Sequence, residues 1–106
     1  EQSRLYSLLA KTKPANLFVI SGDRHAAEIS TQKIDGWEKS LVDITSSGLT
    51  NTWSQPFPEV NSRALGPKII VNNYGLIQID WENSEQPLIN IAIRGVNRAE
   101  YQSIDL

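Results

Sequence analysis

The stretch Ala26–Ser46, AAEISTQKIDGWEKSLVDITS, predicts a β-hairpin and thereby the strand-rich character of the chain. Its centre is Asp35-Gly36, a dipeptide that is strongly favoured in tight hairpin turns because glycine adopts positive φ without steric cost. Residues 26–34 have mixed polarity and are expected to form the first strand of this hairpin. Trp37–Ser46, which has an apolar centre, is expected to return as the second strand.

Upstream of the hairpin, the sequence changes from a helical to an extended pattern. Leu5, Leu8 and Leu9 are spaced at i, i+3 and i+4, which is typical of the apolar face of one amphipathic helix. Pro14 ends this pattern, because proline cannot continue a helix. The apolar run that follows, at residues 17–21, predicts a short buried strand.

Downstream of the hairpin lies a long segment without periodicity. Residues 50–67 show no regular spacing of apolar side chains, and a loop of that length in a compact domain is usually functional. Trp53 and Phe57 are expected to pin this loop to the surface beneath it. Trp53 and Arg63 are also candidates for contact with a substrate, and both readings stay open here.

Three further strands are predicted after the loop. The alternation is clearest at Leu88–Arg94, where Ile89, Ile91 and Ile93 point to one side of the strand. Asn72-Asn73-Tyr74-Gly75 is typical of a turn, because asparagine and glycine tolerate positive φ. The predicted strands are Tyr74–Trp81, Leu88–Arg94 and an edge strand near Tyr101–Asp105.

The composition excludes several classes of protein. The net charge is −2 with the basic residues scattered, so that no basic stripe indicates nucleic-acid binding. No apolar stretch approaches the roughly 18 residues of a membrane-spanning helix. The absence of cysteine excludes disulfides and thiolate metal sites. We therefore expect residues 1–106 to form a single α+β domain, with a mostly antiparallel sheet of about five or six strands and an N-terminal helix on one face.

The pentapeptide Ser21–His25 is the strongest candidate for chemistry, because it contains the only histidine and follows a predicted strand directly. If the chain stays extended, Asp23 and His25 point to the same side, about 6.5 to 7 Å apart. They would then each hold one ion of a metal pair; if the chain turns, they would share one ion. Arg24 offers a planar donor suited to phosphate oxygens. The alternative is a surface acid and a histidine that only cap the end of a strand.

Other polar groups near strand ends admit simpler readings. Ser21, Asp23 and His25 are the residue types of a serine triad, but alternate residues of one strand do not form that arrangement, which draws on separate segments. The hydroxyl-rich exit at residues 45–48 is able to bind a phosphate, or to form a turn whose side chains bond their own backbone. Asp43 either supports such a site from behind or faces water.

Three stretches together resemble the C-terminal part of the alkaline phosphatase D-type enzymes, in the calcineurin-like metallophosphoesterase superfamily. They are residues 17–25 (LFVISGDRH), residues 43–50 (DITSSGLT) and residues 73–81 (NYGLIQIDW). The resemblance implies half of a layered sandwich and a hydrolase of phosphate mono- or diesters that uses two divalent or trivalent metal ions. It further implies that His25 and Asp23 are metal ligands and that Arg24 contacts the substrate phosphate. In the wider superfamily a histidine usually stands where this chain has Asp23.

The same resemblance implies that the chain is part of a longer protein, because the family's earlier metal-binding motifs do not occur in these residues. The expected partners are that missing N-terminal half and a phosphate-ester substrate, and an extracytoplasmic location is implied for the parent protein. The isolated chain is expected to be metal-free, to lack hydrolase activity and to self-associate through an exposed sheet face. The alternatives are a non-catalytic β-rich binding module and a phosphatase fold with a broken ligand set.

Overall fold

The computed structural model of the protein describes residues 1–53, 55, 59–82 and 85–106. The chain forms one α-helix, six strands and a 3₁₀ turn within these ranges. In chain order they are α1 (Gln2–Thr12), β1 (Phe18–Ser21), β2 (Ala27–Ile34), β3 (Trp37–Ser46), β4 (Asn73–Asp80), β5 (Leu88–Gly95), the 3₁₀ turn Val96–Arg98, and β6 (Glu100–Asp105). The predicted α+β class and the predicted strands are confirmed, and Gly36 takes a φ of 84° in the hairpin turn.

The six strands are divided between two three-stranded sheets, whereas the sequence predicted one sheet. The first sheet has the order β1-β3-β2 and the second sheet the order β4-β5-β6. β1 pairs with β3 in parallel, and the other neighbouring strands are antiparallel. The prediction of one sheet is wrong because a local pattern specifies a strand and its buried face, but not the sheet to which the strand belongs.

The main core lies between the two sheets. Alternate side chains of β2 and β3 face alternate side chains of β5, and the predicted alternation on that strand is confirmed, with Ile89, Ile91 and Ile93 on its inner side. The buried residues are Ala27, Ile29, Val42, Ile44, Ile69, Ile89, Ile91 and Ile93. The side chains between these positions on the first sheet therefore point to its opposite side, which we call the outer face.

The helix α1 covers a second, smaller core beside the β2–β3 turn. Leu9 is buried there with Ile34 and Trp37. Leu5 and Leu8 are exposed, so the predicted apolar face is wrong in part. Because α1 packs on one end of a hairpin only, a narrow stripe of the helix is sufficient to cover it. Among the described residues, no helix is long and apolar enough to cross a membrane.

Residues 59–69, which we call the strap, run along the free edge of β2. Phe57, predicted to pin the preceding loop, lies outside the described residues. Four backbone hydrogen bonds of 2.8 to 3.0 Å fix the strap to the strand: Ala27 N to Ile69 O, Ile69 N to Ala27 O, Thr31 N to Arg63 O, and Leu65 N to Ile29 O. The strap thereby covers an edge that would otherwise be open to another strand.

Candidate functional site

The Gly22–His25 turn crosses the C-terminal end of β3. This follows from the strand order, because β1 and β2 lie on either side of β3 and the chain between them must pass over it. Asp23 has a φ of 63° and His25 a φ of 51°, both in the left-handed region. The extended geometry considered from the sequence is therefore wrong, and the chain turns at these residues.

Two residues of the loop that follows β3, Ser47 and Trp53, hold this turn by its backbone. The Arg24 amide donates to Ser47 Oγ at 3.0 Å, and that hydroxyl lies 3.3 Å from the carbonyl of Ala26. Trp53 donates from its indole to the carbonyl of Arg24 at 2.8 Å and from its amide to that of His25 at 3.3 Å. Two left-handed residues cost about 2–4 kcal/mol, and four hydrogen bonds contribute about 2–6 kcal/mol in return. The contacts are thus sufficient to maintain the strained turn.

The predicted site residues are only partly brought together. Arg24 lines a cleft of about 500 Å³ on the outer face of the first sheet. Among the described lining residues of that cleft, neither Asp23 nor His25 occurs; Asp23 is exposed beside it and His25 is half-buried. No group of three or more histidine, aspartate or glutamate side chains that could hold a metal is formed within the described ranges. The turn itself carries one imidazole, of His25, and one carboxylate, of Asp23.

A chain of hydrogen bonds forms the floor of the cleft. Thr45 lies opposite Ser21 in the parallel register, with 2.7 Å between their hydroxyl oxygens, and Ser21 Oγ donates to Asp43 Oδ1 at 2.9 Å. Because Ser21 has one proton and gives it to the carboxylate, Thr45 is the donor to Ser21. Asp43 thus faces the cleft and fixes the orientation of Ser21.

The opposite wall of the cleft was missed by sequence reasoning. Asn61 of the strap donates to Glu28 Oε1 at 2.6 Å and to Ser30 Oγ at 2.9 Å. The available signal was the alternation within β2, which places Glu28 and Ser30 on the face opposite Ile29. Asn61 gave no such signal, because it lies in the segment without periodicity.

An ion pair closes the cleft at the turn. Arg24 Nη2 lies 2.7 Å from Glu59 Oε2, at the first residue of the strap. This hydrogen bond and the charge of Arg24 lower the pKa of the Glu59 carboxyl, and the charge of Lys68 acts in the same direction. Lys68 also lines the cleft. Two cationic side chains, Arg24 and Lys68, therefore favour the charged form of the Glu59 carboxyl.

A buried asparagine joins the site to the second sheet. Asn73, predicted to lie in a turn, begins β4 and is buried. Its amide oxygen accepts from Ser46 Oγ at 3.0 Å, and its backbone amide donates to the carbonyl of Gly48 at 3.0 Å. The hydroxyl-rich segment at the end of β3 therefore has two structural roles. Ser46 forms a hydrogen bond to Asn73 of the second sheet, and Ser47 accepts one from Arg24 of the turn.

Comparison of the chain with known proteins gave no match to a protein-family model, to a curated protein or to a solved structure.

Proposed function

We propose that this chain contributes the Gly22–His25 turn to the active site of a metal-dependent hydrolase of phosphate mono- or diesters, of the alkaline phosphatase D type. The observation that carries the proposal is the crossing of β3 by this turn, which aligns the first two stretches of the sequence resemblance at one end of the sheet. Catalytic and binding residues commonly lie on loops that a rigid sheet holds at the ends of its strands.

In this proposal His25 and Asp23 are metal ligands and Arg24 binds the phosphate. An imidazole and a carboxylate are suitable donors for transition-metal ions, and a guanidinium matches the oxygens of a phosphate group. When bound, a pair of such ions activates water and polarises the phosphoryl oxygen. Hydrogen bonds hold the backbone of Arg24 and His25, so that these two side chains start from fixed positions, and Asp23 directly precedes them. The remaining ligands would come from residues outside this chain.

The test is hydrolysis of a chromogenic phosphate monoester and a diester by the full product of the gene, before and after chelation. We expect activity that a chelator removes and that Zn²⁺, Mn²⁺ or Fe³⁺ restores. His25→Ala is expected to lower it by about 10²-fold or more, since losing even an outer partner of a metal ligand costs 10–100-fold. Asp23→Asn should act in the same direction, whereas Asp35→Asn, in the distant hairpin turn, is the matched control.

Two outcomes would contradict the proposal: activity that resists chelation, or activity that is insensitive to His25→Ala. The 106-residue chain alone is expected to be inactive, and hydrolysis by it that depends on His25 would show that expectation to be wrong.

A non-catalytic binding module is the second candidate, and one observation favours it. The described lining of the cleft combines Arg24, Lys68 and three hydroxyl side chains without the two candidate metal ligands. A ligand could therefore bind there whether or not a metal is present. The two candidates differ in metal content: the full gene product should contain tightly bound metal only in the first.

A further inference from the structure

We infer that Arg24 and Lys68 form an anion site in the cleft, that the Glu59 carboxylate is its internal occupant, and that a phosphate group binds there by displacing this carboxylate. The inference rests on the proposed function for the choice of phosphate as the ligand. It adds that the Glu59 carboxylate competes with phosphate for this site, and that this competition lowers the affinity for phosphate.

The Glu59 carboxylate contacts the Arg24 guanidinium in the way that a bound anion would. The two charged groups are 2.7 Å apart, and their side chains remain 51% and 67% exposed. A solute therefore has access to both partners. Lys68 lines the cleft together with them, so that a second cation faces the same space. Inorganic phosphate and phosphate monoesters suit this arrangement, because they accept two hydrogen bonds from one guanidinium and carry up to two negative charges, against one for a carboxylate.

Exchange of the carboxylate does not require the strap to leave the sheet. Asn61, two residues after Glu59, is bonded to Glu28 and Ser30, and its own carbonyl accepts from the Ala64 amide at 3.1 Å. Beyond it, backbone hydrogen bonds join the strap to β2. Rotation of the exposed Glu59 side chain moves its carboxylate away from the guanidinium and breaks none of the backbone hydrogen bonds between the strap and β2.

The other two acidic groups among the described residues of the cleft, Asp43 in the floor and Glu28 in the opposite wall, do not take the place of Glu59 at Arg24. Asp43 accepts a hydrogen bond from Ser21, and Glu28 accepts one from Asn61. Both belong to strands of the sheet, whereas Glu59 reaches Arg24 from 35 residues away in the sequence. The measured strengths of exposed ion pairs correspond to a change of about 1.4- to fivefold in an equilibrium constant. Glu59 should weaken phosphate binding by that factor.

The experiment is a titration with inorganic phosphate, followed by the ¹H–¹⁵N signals of the backbone amides at positions 24 and 68 and, in the variants that retain it, of the Arg24 side chain. Glu59→Gln is expected to bind phosphate about 1.4- to fivefold more tightly than the wild type. Arg24→Gln should abolish the binding in the Glu59→Gln background. Glu38→Gln removes the same charge at the opposite end of β3 and is expected to bind like the wild type. Unchanged amide signals of Thr31 and Leu65 would show that the strap keeps its place.

Equal phosphate affinity of the wild type and Glu59→Gln would overturn the displacement while leaving the proposed hydrolase intact. Phosphate signals that are insensitive to Arg24→Gln would overturn the anion site itself. The proposed hydrolase is tested separately by chelation and by His25→Ala, so its failure would be recognised independently of the phosphate titration. An altered Arg24 side-chain signal in phosphate-free Glu59→Gln is also expected, and an unaltered signal would count against the internal occupant.

Discussion

Gly48 is the residue at which a side chain has least room between the candidate site and the second sheet. It is buried at the end of the hydroxyl-rich stretch, and its carbonyl accepts the amide of Asn73. A Cβ atom built at this position would overlap the side-chain amide of Asn73 and would lie 2.8 Å from Thr52 Cγ2. Since Asn73 is itself bonded to Ser46, it cannot move without losing that bond.

Gly48→Ala is therefore expected to destabilise the protein by about 1–3 kcal/mol, the usual cost of an added methyl group in a filled interior. The measurement is the free energy of unfolding in urea. Gly75→Ala is the matched control, because its Cβ would lie 3.4 Å from Ser46 Cβ, an ordinary contact distance. It should change stability by no more than about 0.5 kcal/mol. Equal effects of the two substitutions would contradict the account of Gly48.

At the scale of elements, local signals were sufficient for the strands but not for their partners. The hairpin was predicted at 26–34 and Trp37–Ser46 and is observed at Ala27–Ile34 and Trp37–Ser46, because its turn and its alternation lie within one short stretch. The parallel pairing of β1 with β3 leaves no local mark in the sequence. Without it, neither the crossing of β3 by the Gly22–His25 turn nor its left-handed residues could be predicted.

The strap shows the same limit for the candidate site. Arg24 could be selected from its place after a strand, but its partner Glu59 lies 35 residues further along, in a segment without periodicity. Contacts between distant segments depend on the complete fold. The sequence therefore indicated the turn but not the opposite side of the cleft.

The ion pair between Arg24 and Glu59, at the first residue of the strap, should depend on pH. Arg24 lowers the pKa of this carboxyl by its hydrogen bond and then by its charge, with Lys68 in support. Because the folded pKa lies below the unfolded one, the ion pair is complete above the ordinary glutamate value of about 4.3. It is lost as the pH falls through the lowered folded value. An NMR titration of the Glu59 carboxyl carbon should show this midpoint.

Arg24→Gln is expected to raise the titration midpoint of Glu59 towards the ordinary glutamate pKa. The substitution removes both the ionic hydrogen bond from Arg24 and the positive charge of Arg24, which together lower that pKa. Arg98→Gln removes a positive charge from the 3₁₀ turn near the C-terminus and should leave the midpoint unchanged. The same midpoint in the wild type and in Arg24→Gln would contradict the assignment of the shift to this ion pair.

At the scale of the whole molecule, the core between the sheets is covered incompletely at two edge strands. Ile20 of β1 is 68% exposed, although its register partner Ile44 is buried. Ile79 of β4 is 44% exposed, although its partner Ile89 is buried. Both side chains belong to the inward rows of their sheets, so that apolar surface continues beyond the part of each sheet that the other covers. Such surface, next to strand edges, favours association with other chains.

We therefore expect the chain to self-associate, with a sedimentation coefficient that rises with protein concentration. The double substitution Ile20→Thr and Ile79→Thr keeps the β-branched shape that strands favour but reduces the apolar area, and it should shift sedimentation towards the monomer. Val96→Thr, at a side chain that is also 68% exposed but lies in the 3₁₀ turn, is the matched control and should sediment like the wild type. Monomeric sedimentation of the wild type at all concentrations would show that these edges do not drive association, because a free apolar edge of that kind gains stability whenever a second chain covers it.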